Sequence, residues 1–270
     1  MDKSLLTRIL SVFLLLFATT SNATEVDWNG WNGGISIRES RVESHSDYNH
    51  TQNVNGRDPV ACNNTDSFGF DYSPSCPGKA DYSSNYNYSK NLTNLTFKLG
   101  YNWQLNDYVW GVLGTLYTPN TSKVDDTAVI GAFANKLTVS IKQRDIFDAR
   151  LIFGKAIDRF LPYVTVGISG AKLNSNVNQD WEYYNISDTQ QDFSNSKLKV
   201  GFVVGAGLNY AVDEKWFISA EYLHADYRSL NLSHNESNTV VGGTLFSFPN
   251  TNLRTDVTSN SLQFGLNYKF

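Results

Sequence analysis

Apolar residues recur at every second position along much of this chain, most regularly at its end. Leu262, Phe264, Leu266, Tyr268 and Phe270 alternate there with Ser261, Gln263, Gly265, Asn267 and Lys269. Successive side chains of a strand point to opposite faces, so this period predicts a strand with one apolar and one polar face. About eight segments carry the signal. They run near residues 28–40, 92–104, 108–117, 137–153, 161–172, 198–212 and 216–227, with the terminal stretch last. In the cleanest, Leu198, Val200, Phe202, Val204, Ala206, Leu208 and Tyr210 alternate with Lys199, Gly201, Val203, Gly205, Gly207 and Asn209. Segment 108–117 is apolar on both faces, and its register stays open. In segment 137–153, Gln143 and Asp145 interrupt the apolar set, while Arg144, Asp148 and Arg150 fall in the polar one.

The connections alternate in length. Residues 105–107, 157–160 and 213–215 are short links, whereas 41–91, 118–136, 173–197 and 229–257 are long. Short turns at one end and long loops at the other mark an outer-membrane barrel. The expected fold is all-β: an eight-stranded antiparallel transmembrane barrel with short periplasmic turns and four long extracellular loops. A lipocalin-like soluble barrel would show the same alternation with the apolar face turned inward. Two features favour lipid outside. The polar face carries glycines and the charges Lys98, Arg144, Asp148, Arg150, Lys199, Glu221 and Lys269, which suit a narrow interior. The apolar face ends in Trp103, Tyr210, Tyr268 and Phe270, as an interfacial belt would.

The start of the chain supplies the compartment. Lys3 and Arg8 precede the apolar run ILSVFLLLF, and Ser21-Asn22-Ala23 offers small residues for cleavage. This reads as a signal peptide over residues 1–23, leaving 24–270 as the barrel domain. The run is shorter than the roughly 20 residues a spanning helix needs. Charged residues make up 18% of the chain and the net charge is −4, which argues against a nucleic-acid partner.

Several short motifs occur in a telling order. Trp28-Asn29-Gly30-Trp31-Asn32-Gly33-Gly34 opens the first strand. Gly100-Tyr101-Asn102-Trp103-Gln104, Leu161-Pro162-Tyr163-Val164-Thr165, and Trp216 with Glu221-Tyr222 follow, and Gly265-Leu266-Asn267-Tyr268-Lys269-Phe270 closes the series. Together they resemble a family of small, porin-like outer-membrane barrels of alphaproteobacteria, whose members include surface antigens and haemin-binding proteins. The resemblance implies the outer membrane of a Gram-negative bacterium, lipid as surroundings, and Tyr268 and Phe270 as the signal that the barrel-assembly machinery reads. Leu113 stands where members often carry an acidic residue, and Ile152 where they often carry a basic one. The resemblance therefore implies a reduced interior charge network.

Candidate chemistry is sparse. Cys62 and Cys76 are the only cysteines and share the first long loop, so export to an oxidising compartment predicts a disulfide. His45 and His50, near Asp47 and Tyr48, could ligate haem iron; the alternative is a pair of solvated loop histidines. No other cofactor and no metal site is expected. Neither a zinc-protease spacing nor a nucleophile elbow occurs, and no enzymatic activity is expected. The expected function is an outer-membrane surface protein whose loops meet the environment or host surface molecules. A haemin receptor and a small-solute porin are the alternatives.

Overall fold

The computed structural model describes residues 26–55, 78–120, 122–130, 135–183, 186–234, 237–241 and 244–270. The proposed signal peptide, Cys62 and Cys76 lie outside the described residues. Ten strands follow one another: β1 (Gly30–Asn55), β2 (Gly78–Leu105), β3 (Tyr108–Tyr117), β4 (Ser122–Ile130), β5 (Asn135–Lys155), β6 (Phe160–Tyr183), β7 (Ile186–Ala211), β8 (Trp216–His234), β9 (Ser237–Val241) and β10 (Thr244–Lys269). Eight of them form the wall in the order β1-β2-β3-β5-β6-β7-β8-β10, and β10 pairs back onto β1. β4 and β9 extend hairpins on β5 and β10. Every ladder is antiparallel, and closure leaves the wall without an open edge, as hydrocarbon requires.

The faces divide as the alternation predicts. Ile35, Ile37, Phe97, Leu151, Val164, Val166, Phe202 and Phe264 are exposed on the outside. Ser36, Arg38, Thr96, Lys98, Arg150, Thr165, Glu221 and Gln263 are buried inside. β3, ambiguous in sequence, alternates strictly: Trp110, Val112 and Leu116 point out, while Val109, Leu113 and Tyr117 point in.

Two expectations are corrected. The first concerns length. Much of what reads as long loops is strand, for β1 and β2 continue through 26 and 28 residues. At about 3.3 Å per residue this far exceeds the roughly 9–11 residues that cross a bilayer. The apolar signal stops where lipid stops, but the hydrogen-bonded ladder does not need it. Beyond Ile37 the outer face of β1 turns to Glu39, Arg41, Glu43 and His45.

The second correction concerns Arg144. It does not share the inner face with Asp148 and Arg150. A bulge lies between Asp145 and Phe147, opposite Ala171 and Gly170, and the extra residue exchanges the faces above it. Gln143 and Asp145 are therefore buried inside, while Lys142 and Arg144 are exposed outside. The interruption in the apolar pattern was the mark of this bulge. A related irregularity in β8 places Arg228 at φ 58°, with its N–H donated to Asp226 Oδ1 at 2.8 Å.

The end carrying the chain terminus is tied by tight turns and a ring of aromatics. Asn106 and Asp158 take left-handed backbone conformations that their short polar side chains tolerate. In the β7–β8 turn, Asp213 accepts the N–H groups of Lys215 and Trp216 at 2.8 and 2.7 Å. These bonds hold its carboxyl below the usual range, so the turn keeps this support above the ordinary carboxylate pKa and loses it as pH falls through the lowered value. Trp103 stacks on Trp110 at 4.3 Å, Trp31 meets Tyr101 edge-on at 5.2 Å, and Tyr268 lies 5.0 Å from Trp216 and 5.5 Å from Phe270. Such a girdle suits a membrane interface. The Phe270 N–H donates to the Trp31 carbonyl at 2.9 Å, so the last residue completes the seam between β10 and β1.

Candidate functional site

The lumen is filled in three layers. Nearest the girdle, Trp28, Val109, Leu161, Tyr163 and Phe217 form an apolar plug, with Trp28 edge-on to Phe217 at 5.6 Å. Toward the loops, Val42, Leu173, Val203, Leu223, Tyr227 and Val257 form a second apolar layer. Between them lie three cations, Arg38, Lys98 and Arg150, and three anions, Asp145, Asp148 and Glu221.

Glu221 is the hub of one half. It accepts Lys98 Nζ at 2.6 Å and Arg150 Nη1 at 3.1 Å. Asp145 and Asp148 anchor the other half, with Arg38 Nη1 at 3.7 and 4.0 Å from them. The Tyr117 hydroxyl donates to Asp148, and its ring lies under the Arg38 guanidinium at 4.7 Å. Gln143 Nε2 and the Tyr227 hydroxyl donate to Asp145 at 2.8 and 3.2 Å. Buried charges are costly unless balanced, and here +3 meets −3 within one layer; Arg38 is held by charge and by the Tyr117 ring, its guanidinium nitrogens making no hydrogen bond among the described residues. Leu113 and Ile152 do face inward as apolar residues, yet the network keeps six ions.

Gly207 shows how tightly this layer is fitted. A Cβ there would lie 2.5 Å from the Tyr163 hydroxyl and 2.9 Å from Glu221 Cγ. Tyr163 crosses the glycine to reach the carboxylate, so Gly207→Val is expected to displace it. A loss of about 1–3 kcal/mol should follow from overpacking; urea unfolding of the refolded barrel measures it.

Of the predicted site residues, the structure describes the side chains of His45, Tyr268 and Phe270. His45 lies on the outer face of β1, its Nδ1 2.5 Å from Asn87 Oδ1 and its Nε2 3.3 Å from Asp47 Oδ1. The backbone of His50 pairs with Thr251 and Tyr82, but its side chain lies outside the described residues. Tyr268 and Phe270 occupy the girdle. Among the described residues no group of three or more His, Cys, Asp or Glu could hold a metal. Sequence reasoning missed Arg38 and the two apolar layers. Their signal was parity: Arg38 sits one step out of phase with Ile35 and Ile37, and Leu161 and Tyr163 one step out of phase with Val164 and Val166.

The outer-membrane protein beta-barrel domain family matches residues 10–270. The chain belongs to this family. Among relatives, it is similar to a 31 kDa outer-membrane immunogenic protein of Brucella melitensis, 29% identical over 175 residues, which is 63% of each chain. A 25 kDa outer-membrane immunogenic protein of Brucella canis is 24% identical over 171 residues, covering 63% of this chain and 62% of that one. The match thus spans less than two thirds of these relatives. Among solved structures, OprG from Pseudomonas aeruginosa aligns over 90% of this chain and 97% of its own, with a TM-score of 0.47 and 18% identity. Family membership together with the outward apolar band makes this an outer-membrane barrel protein. Its relatives include outer-membrane immunogenic proteins.

Proposed function

We propose that the protein is a non-conducting surface barrel, which anchors in the outer membrane and presents its loops to the environment or a host. One observation carries this reading: a packed, charge-balanced lumen lies inside a wall whose strands run well past the lipid-facing band. Such a wall lifts the loops clear of the bilayer rather than opening a path through it. The names of its relatives agree with surface display, and the reading assigns it no reaction. Export through a cleaved signal peptide, insertion by the assembly machinery and a disulfide between Cys62 and Cys76 belong to the same proposal. Protease treatment of intact cells tests it: cleavage confined to the loops is expected. Loops that are cut only after the outer membrane is permeabilised would contradict it.

Haem binding through His45 and His50 rests on the chemistry of imidazole alone. An iron ligated by His45 would displace Asn87 or Asp47 from the ring. Its test is a haem titration of the folded barrel, in which a Soret shift lost in the His45→Ala, His50→Ala variant would support it.

A further inference from the structure

Above the apolar band, the arginines on the outer face of β1 and β10 are paired. Arg41 lies 3.1 Å from Glu43, and Arg254 3.7 Å from Asp256. The β5–β6 face differs. Lys142, Arg144 and Lys172 are exposed there, with no acidic partner among the residues whose side chains the structure describes. Arg144 and Lys172 are direct cross-strand partners, an arrangement that destabilises a ladder unless an anion is shared. The bulge that turns Asp145 inward toward Arg38 is what turns Arg144 outward. Lys172 shares its rung with the exposed Leu198, so the cations stand at the upper rim of the apolar band, where lipid headgroups lie.

A second feature lies below them on the same strands. Leu99, Gly114, Ala149, Ile168 and Phe202 are successive partners across β2, β3, β5, β6 and β7. The two small residues sit between large exposed neighbours, and an apolar depression of about 620 Å³ results. Above it, Phe147 packs over Gly170.

We propose that this face seats one phosphorylated lipid of the outer leaflet. Lys142, Arg144 and Lys172 hold its headgroup phosphate, and an acyl chain lies over Gly114 and Ala149. Fixed cations at a membrane surface favour anionic headgroups additively, and the apolar depression gives the tail a defined position. The proposal rests on the outward orientation of the loops, which protease treatment of intact cells tests separately.

The experiment uses the full chain folded in detergent and a diphosphorylated, acylated glucosamine lipid, with bound lipid read by native mass spectrometry. Replacing Lys142, Arg144 and Lys172 together by Gln should weaken retention roughly a hundredfold. Ala149→Phe, which fills the depression, should weaken binding of the acylated lipid and leave its deacylated headgroup unaffected. Arg41→Gln with Arg254→Gln, on the paired face, should change nothing. Heat-modifiable migration verifies that each variant is folded. Retention by the triple variant equal to that of the parent overturns the proposal. So does binding of inorganic phosphate or the deacylated headgroup as tight as that of the lipid, which would mean an ion site only.

Discussion

Glu221→Ala is expected to destabilise the folded barrel by about 3–5 kcal/mol. The side chain is fully buried and accepts both Lys98, at 2.6 Å, and Arg150, at 3.1 Å. Its removal leaves two cations between apolar layers with no hub to balance them. A buried pair adds little net stability when complete, but an orphaned buried charge is costly. Glu221→Gln keeps the shape and one acceptor, so a smaller loss is expected. Glu43→Ala provides the contrast. Its bridge to Arg41 lies on the outer face with both side chains about half exposed, and the change should stay within about 0.5 kcal/mol. Urea unfolding in detergent, followed by tryptophan fluorescence, ranks the three. Equal losses for Glu221→Ala and Glu43→Ala would mean that the central layer is wet.

Phe270→Asp should strongly reduce insertion into the outer membrane while affecting the folded barrel much less. The last residue donates its N–H to Trp31 and packs beside Tyr268, but its side chain stays largely exposed at the girdle. Refolding in detergent should therefore change modestly. In cells, the proposed reading of Phe270 by the assembly machinery predicts protein left in the periplasm. Until β10 meets β1 the sheet has an open edge, and each unpaired backbone group in hydrocarbon costs several kcal/mol. Surface accessibility of the loops in whole cells is the readout. Insertion equal to that of the parent would reduce Phe270 to ordinary packing.

The division of faces was legible because lipid imposes it directly: within the band marked by residues such as Ile35 and Phe264, outward positions must be apolar. The strand count was legible for the same reason. The sequence was silent where lipid imposes nothing. Beyond the band the ladder is held by backbone hydrogen bonds, which any residue except proline can make, so β1 runs on through Glu39, Arg41 and Glu43 without a periodic mark. The bulge near Asp145 was visible as a break in pattern but not as its cause. Alternation read straight through it put Arg144 inside, whereas one extra residue puts Asp145 there instead. The three-layered lumen was hidden because its apolar plugs come from positions one step out of phase on different strands. Val109, Leu161 and Phe217 meet only when the barrel closes.

The central claim is a sealed lumen, and conductance tests it most directly. Purified monomer in a planar bilayer, checked for oligomeric state in the same sample, should give no steady ionic current, because Leu161, Arg38, Glu221 and Leu223 are fully buried across the successive layers. Steady, large single-channel currents from monomers would contradict the account.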